Sequence, residues 1–496
     1  MSSQKTIADY QDRIIPVQQH FIDGSQQKSQ SGAVIDVISP RNGELLTTLA
    51  DGCEADINRA VASAKKTFEQ GVWSNSAPSE RKKVLIRLAE LIESHAIELA
   101  VLGVRDNGTE INMAIKAEAG SAASSFRYYG EAIDKLYGQV APTTPTVLGL
   151  IQREPVGVVG VIVPWNFPLM IGAWKIAPAL AVGNSVVLKP AETASLCLLR
   201  LAELALEAGV PKGVFNVVTG KGTVAGKALA LHMDVDVLAF TGSGNVGRQL
   251  LGYSAQSNLK HVYLELGGKS PHIIFPDVAD LDKAASAVVN GIFRNSGQVC
   301  ISGSRLLVHQ SIYEQVLALV ITKAEALKVG DPLNTESDIG AVNSAQQLQK
   351  NLEYVAIAKA EGAVICTGGE QILVESGGYY MQPTVFRDVT SEMRIAQEEV
   401  FGPVLCVIPF ADEDAAVSIA NATVYGLAAG VWTTNLSTAH RMIRRIKSGV
   451  IHVNCYGGSD MTVPLGGMKQ SGNGYDKSLH ALDKYTAMKS AWINLD

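Results

Sequence analysis

The strongest constraint in the chain is an alternation of short, apolar, β-forming runs with helical patterns, extending from about residue 156 to residue 453. Residues 156–163, 185–188, 215–218, 237–240 and 261–266 are short, apolar and rich in Val or other β-formers. Helical patterns lie between them, the clearest over 194–207 and 246–254. Parallel strands joined by crossover helices are buried on both faces, so the pattern predicts a parallel sheet covered by helices. A second series begins near Pro271, with strands over 272–275, 304–309, 404–410, 430–433 and 450–453 and helices over 281–293 and 312–327. Two α/β units in sequence are expected, with ligands outside the carboxyl ends of the strands.

The segment ahead of these units reads as β-rich at 20–23, 34–39 and 45–48, followed by two helices. The first covers 56–70, with Ile57, Val61, Ala64 and Phe68 at helical spacing. Ser79 is placed as the cap of the second, whose apolar face is Val84, Leu85, Leu88, Leu91 and Ile92. Residues 133–152, with Pro142 and Pro145 among three threonines, read as an extended arm or hairpin. Residues 485–495 read as an unpaired terminal strand, of the kind that often pairs with a neighbouring subunit.

At roughly 150 residues per domain, 496 residues allow about three domains or two large ones. An apolar share of 47% is too high for disorder and ample for large cores. The 42 basic and 48 acidic residues leave a net charge of −6 with no basic run, which argues against nucleic-acid and polybasic membrane binding. Residues 155–174 carry no charge and are long enough to span a bilayer, but Gly157, Gly160, Pro164, Pro168 and Gly172 interrupt them. They read instead as a buried strand, a loop and the start of a helix. Six scattered cysteines without a CxxC, and no HExxH, point to a reducing compartment and to no metal centre. Residues 1–12 lack a basic-then-apolar leader pattern, so a cytoplasmic protein is expected.

Three motifs carry candidate chemistry. Gly242-Ser243-Gly244-Asn245-Val246-Gly247 follows a strand and opens a helix, which suits a pyrophosphate or a plain turn. Cys300, in the small-residue loop 295–304, is either a buried structural thiol or a nucleophile on a rigid scaffold. Glu265 ends an apolar strand just before Gly267 and Gly268, as a general base or a solvated strand-end carboxylate. Gly268-Lys269-Ser270 is not a phosphate-binding loop, because Tyr263 stands where that pattern needs glycine.

In combination the residues resemble the aldehyde dehydrogenase superfamily over the whole chain. The resemblance rests on Pro164-Trp165-Asn166-Phe167-Pro168, Lys189-Pro190-Ala191-Glu192, Phe240-Thr241-Gly242-Ser243 and Leu264-Glu265-Leu266-Gly267-Gly268. It continues through Gly297-Gln298-Val299-Cys300, Glu399-Val400-Phe401-Gly402-Pro403 and Pro464-Leu465-Gly466-Gly467. It implies an α/β aldehyde dehydrogenase-like fold with three parts. A Rossmann-type cofactor domain would take 1–132 and 153–265, a catalytic domain 266–463, and an oligomerisation arm 133–152 and 478–496. It also implies NAD(P)-dependent oxidation of an aldehyde to an acid. Cys300 would form a thiohemiacetal and then a thioester, Asn166 and the Cys300 N–H would hold the oxyanion, and Glu265 would activate water. Lys175 would lie close by.

The cofactor would be NAD, with NADP tolerated. Lys189 and Glu192 would hold the adenosine ribose, Ser243 and the helix after it the pyrophosphate, and Glu399 and Phe401 the nicotinamide end. The same resemblance carries Val163, Pro164, Trp165, Gly222, Gly242 and Leu266 to the cofactor site. A narrower resemblance, at Asp460-Met461-Thr462-Val463-Pro464, 467–474 and 476–480, is to the gamma-glutamyl-gamma-aminobutyraldehyde dehydrogenases of bacterial putrescine breakdown. Leu465, Met468 and Tyr475 depart from that pattern. Trp165, Met170, Trp174, Ile301, Ser459 and Asp460 would line the substrate tunnel, with Asp460 giving an open acidic mouth suited to an aminoaldehyde, or merely capping a loop. The alternative substrate is a broad range of aliphatic or aromatic aldehydes. The resemblance further implies a homodimer or homotetramer. A cofactor-free thiol esterase, or a structural protein that kept only the fold, is disfavoured by the retained Cys300, Glu265, Asn166, Lys189 and Glu399.

Overall fold

The computed structural model describes residues 4–458 and 460–496. An eight-stranded sheet has a parallel core in the order Phe215–Val217, Ser185–Lys189, Val158–Ile162, Val237–Thr241 and His261–Glu265. Strands Val158–Ile162, Ser185–Lys189 and Val237–Thr241 are buried at every residue, as their unbroken apolar character requires. Successive side chains go to opposite faces. Val159 and Val161 pack with helices Pro168–Ala181 and Leu196–Ala208, whereas Val158 and Ile162 pack with helix Glu54–Glu69. The chain moves outward from Val158–Ile162 in one direction and then returns to its other side with Val237–Thr241. The gap between those two strands is the switch point at which such sheets take ligands.

A second sheet of seven strands is parallel from Thr384–Arg387 through Val404–Phe410, Arg305–His309, Pro271–Ile274 and Ala428–Trp432 to Val450–Val453. Strand His261–Glu265 ends the parallel core of the first sheet, and only residues 266–270 separate it from Pro271–Ile274. The carboxyl edge of one sheet therefore feeds the amino edge of the other. The crevice between them collects loops from both.

Some expectations need correction. The terminal strand Thr486–Asn494 is not unpaired: it runs antiparallel to Val147–Pro155 along nine residue pairs, with Gln139–Ala141 beyond. Residues 147–155 supply the complementary edge. Ser79 is not a cap: helix Pro78–Ser94 starts ahead of it, because the fixed φ of Pro78 suits a first helical residue, and the cap position is Ala77. Helices Ala96–Asn107, Gly120–Ala132, Ala345–Ala360, Glu413–Asn421 and Leu436–Arg445 had no sequence expectation. Residues 155–174 are divided among a strand, a loop and helix Pro168–Ala181, and among the described residues no helix is long and apolar enough to cross a membrane.

The second sheet buries Arg305 completely. Its guanidinium donates to the carbonyls of Lys269 (2.8 Å), Ile419 (2.9 Å) and Ala420 (2.8 Å), tying the crossing segment to helix Glu413–Asn421. Replacing Arg305 with Met strips the Lys269 and Ala420 carbonyls of this donor and leaves the Ile419 carbonyl only the Ala422 N–H at 3.2 Å, at a cost of roughly 3 kcal/mol. Arg305→Met is expected to lower the thermal midpoint clearly in matched scans, and Arg305→Lys to recover only part of it. An unchanged midpoint in Arg305→Met would contradict this account.

Candidate active site

The carboxyl edge of the first sheet gathers several of the expected residues. Register pairs Ile162 with Lys189 and Phe240, and Thr241 with Glu265. The turns that follow carry Val163, Pro164, Trp165 and Asn166 from one strand and Gly242 and Ser243 from another. Lys189 is buried and bonds Glu192 at 3.1 Å, while Glu192 stays part-exposed. Burial lowers the Lys189 pKa, and Glu192 opposes the shift. Ser243 caps helix Gly244–Gln256, accepting from the Val246 N–H at 3.3 Å. Gly222 opens a helical turn beside open space, since an added Cβ there meets nothing within 4 Å.

Cys300 sits at the amino edge of the second sheet, just before strand Arg305–His309. Asn295, Ser296 and Gly297 ahead of it are consecutive left-handed residues, with φ of 49°, 52° and 72°. Each non-glycine in that region costs roughly 1–2 kcal/mol, so the surroundings must hold the loop in place. They do so with buried hydrogen bonds. Glu110 accepts the Asn295 N–H (2.9 Å), Thr109 donates to the Asn295 amide oxygen (2.9 Å), and Ser296 donates to the Gly340 carbonyl (2.9 Å). Gly297 admits no side chain, because its Cβ would lie 2.1 Å from the Gly402 carbonyl oxygen.

Asn166 is joined to this loop. Its Nδ2 donates to the Gln298 carbonyl at 2.8 Å, and its own carbonyl accepts from Asn295 Nδ2 at 3.1 Å. An amide nitrogen has two hydrogens, so one remains available to an oxyanion.

Burial pushes the Cys300 thiol up to about 12, with Glu399 and Glu265 adding to the effect. Burial likewise holds Glu265 well above the usual carboxylate range, aided by Asp476 and opposed by Lys175 and Lys484. Oε1 of Glu265 is buried without a hydrogen-bond partner. Lys175 Nζ bonds Asp476 at 2.6 Å, and Lys484 Nζ takes the other carboxylate oxygen. Burial works against the Asp476 charge, but the two lysines outweigh it and hold Asp476 below its ordinary value. Glu399 is pushed up to about 7 by burial and accepts the Gly268 N–H at 3.0 Å. Phe401, itself at φ 60°, packs its ring edge-on to Trp165 with centroids 5.2 Å apart.

A cavity of about 740 Å³ is lined in part by Cys300, and Met170, Trp174, Ile301 and Asp460 line it as expected. Trp165 is not among its walls, because its ring is taken up by Phe401. Ser459 lies outside the described residues. The acidic mouth is corrected: Lys116, Arg127, Arg294 and Lys477 line the cavity against the acids Glu131 and Asp460. Asp460 Oδ1 also caps its own loop, accepting from Thr462 N (2.8 Å) and Oγ1 (2.6 Å). Sequence reasoning gave no role to Asp476, Lys484 or Glu110. Asp476 and Glu110 have partners far off in the chain, 301 residues away at Lys175 and 185 away at Asn295, and Lys484 joins the cluster only through Asp476.

With this geometry in view, residues 26–491 match the family described as Aldehyde dehydrogenase family. The chain belongs to the aldehyde dehydrogenase family. It is 47% identical over 476 residues to the NADP/NAD-dependent aldehyde dehydrogenase PuuC of Escherichia coli (strain K12), covering 96% of this chain and 95% of that one. A crystal structure of indole-3-acetaldehyde dehydrogenase complexed with NAD+ superposes at TM-score 0.98 with 49% identity, covering 100% of both chains. That of a gamma-glutamyl-gamma-aminobutyraldehyde dehydrogenase from Burkholderia cenocepacia J2315 does so at 0.96 with 49% identity, over 99% of this chain and 100% of that one. The aldehyde dehydrogenase fold is thus shown directly.

A thiol near 12 is almost wholly protonated in the free enzyme at neutral pH. Alkylation of Cys300 by iodoacetamide, followed on its own peptide by mass spectrometry, is expected to rise about tenfold per pH unit from 7 to 10. A plateau below pH 9 would show a thiol that ionises far more easily.

Proposed function

We propose that this aldehyde dehydrogenase works through a thioester on Cys300, with NAD as its cofactor. The carrying observation is the cavity: Cys300 is the thiol in its lining, Asn166 is bonded to the Cys300 loop, and buried Glu265 acts on that thiol. The Cys300 proton passes to Glu265, and Sγ bonds to the aldehyde carbon. The second Nδ2 hydrogen of Asn166 and the Cys300 N–H receive the oxyanion, where fixed donors contribute most. NAD supplies the acceptor for the hydride that leaves that carbon, and a thioester remains. Glu265 first gives up the thiol proton to solvent; water then attacks the thioester as Glu265 takes a proton from it, and that proton passes to the Cys300 sulfur released as the acid departs.

The residues present fit the dinucleotide. An open helix N-terminus at Ser243 suits a pyrophosphate, and buried Thr241 Oγ1 has no hydrogen-bond partner beside it. Lys189 and Glu192 offer a cation and a carboxylate to ribose hydroxyls, and Glu192 repels a 2′-phosphate, which favours NAD over NADP. Glu399 and Phe401 would hold the nicotinamide end. The first sheet would form the cofactor unit and the second the catalytic unit. The three-stranded sheet, whose edge strand exposes Met488 and Trp492, would join subunits into a dimer or tetramer.

The substrate reading is an aminoaldehyde, above all one with a gamma-glutamyl head. Charges of both signs line the cavity, Asp460 with Lys477 among them, and a head carrying both ammonium and carboxylate complements such a mouth better than a bare amine. The name of the Burkholderia relative supports this direction.

Cys300→Ala is expected to abolish NADH formation while NAD binding persists, and substantial residual turnover would remove Cys300 as the nucleophile. Glu265→Gln should slow deacylation more than hydride transfer and enlarge the pre-steady-state NADH burst; equal slowing of both steps would count against the base. For the substrate, gamma-glutamyl-aminobutyraldehyde is compared with a neutral aldehyde of similar length. A preference of tenfold or more in kcat/KM, about 1.4 kcal/mol, is expected. Parity would leave the broad-range alternative.

A further inference from the structure

Two lysines converge on one buried carboxylate beside the active site. Lys175 comes from helix Pro168–Ala181 and Lys484 from the turn Leu479–Tyr485, and each takes a separate oxygen of Asp476. The side chains are almost wholly buried, at 1%, 4% and 1% exposure for Lys175, Lys484 and Asp476. A single lysine would already neutralise Asp476. The second leaves the trio with one surplus positive charge in a dry environment, where it requires a counter-charge. Lys175, Lys484 and Asp476 act electrostatically on Glu265.

We propose that Lys484 is a positioning residue for thioester hydrolysis: by occupying the second oxygen of Asp476 it leaves the cluster one positive charge in excess, and that charge keeps Glu265 available as the ionised base. The inference rests on Glu265 being the water-activating base. Asp476, Lys175 and Lys484 act on Glu265, and Glu265 in turn acts on Tyr485 and Cys300. Tyr129 is influenced by Asp476, and Tyr263 by Lys484. Only the lysines oppose the effects of burial and Asp476 on Glu265, whose pKa already lies well above the usual range. The base form exists above that pKa, so deacylation rises with pH through it. Removing a positive charge raises it further and moves the rise to higher pH; removing the Asp476 charge moves it lower.

The test isolates deacylation. Acetyl-enzyme is formed on Cys300 with 4-nitrophenyl acetate, separated at low pH, and followed by mass spectrometry after jumps to pH 6–10. Lys484→Met is expected to displace the rising limb upward by about one pH unit or more. Lys484→Arg should retain the wild-type profile, and Asp476→Asn should displace it downward. Such opposite displacements are not produced by loosened packing. Coincidence of the Lys484→Met and wild-type profiles, or displacement of Lys484→Met and Asp476→Asn in the same direction, overturns the proposal. If Lys484→Met does not fold, the other two variants decide: an Asp476→Asn limb that stays or rises, or a displaced Lys484→Arg limb, overturns it. Glu265→Gln separates the two levels. A limb that survives in that variant removes Glu265 as the base and the reading above it, whereas a limb lost there but unmoved in Lys484→Met removes only the role of Lys484.

Discussion

Between the two sheets the chain passes through a space that admits backbone but no side chain. A Cβ on Gly267 would lie 2.0 Å from a Glu399 carboxylate oxygen, and one on Gly268 would lie 2.6 Å from the Cys300 carbonyl oxygen. At the same point the Gly268 N–H donates to Glu399, and the Ser471 hydroxyl donates to the Gly267 carbonyl at 2.7 Å. This crossing sets the distance between the carboxyl edge that carries Asn166 and Glu265 and the amino edge that carries Cys300 and Glu399. Glycine is required here for close approach rather than for φ. The separation of the sheets, and so the geometry of the site, follows from it.

The strain ahead of Cys300 is held from other parts of the chain. Asn295 and Ser296 are held left-handed by buried partners from residues 109–110, 166 and 340, each on a separate stretch of chain. Several net hydrogen bonds of about 1 kcal/mol each are enough to offset two strained residues. The loop is thereby fixed from several directions, and a reacting sulfur gains from a position it cannot leave.

The fold class was legible because strand–helix alternation is a local signal, and Val-rich runs such as 158–162 and 185–189 have few other uses. Cys300 and Glu265 stood out as candidates, the one in a small-residue loop and the other at a strand end, whereas Asn166 and the roles expected of all three came from the family resemblance. What escaped notice was non-local. Asn295 and Ser296 give no glycine signal for their left-handed backbone, since their support comes from distant chain. The acidic mouth read from Asp460 failed because Lys477, from a later segment, lines the same cavity. Gly120–Ala132 is rich in small and polar residues, so its helical face emerges only against Pro78–Ser94 and Pro168–Ala181. The terminal strand was read as unpaired because its partner lies more than 300 residues earlier.

With Glu265 as the proposed base, the C-terminal segment would serve both anchoring and acid–base chemistry through the same atoms. Besides the ion pairs of Asp476, Tyr129 donates to the Ser478 carbonyl at 3.0 Å, and Asn184 Nδ2 donates to the Tyr485 carbonyl at 2.9 Å. Strand Thr486–Asn494 begins at the next residue. Stripping one partner from a buried ion pair costs about 3–5 kcal/mol, whereas a one-unit change in a neighbour's pKa corresponds to about 1.4 kcal/mol. The anchoring term is the larger, so a crude deletion in this cluster reports mostly on the docking of the tail. The smaller electrostatic term at Glu265 becomes readable only when shape is kept and charge alone is changed. Its sign, opposite for a lysine and for the aspartate, then distinguishes chemistry from packing.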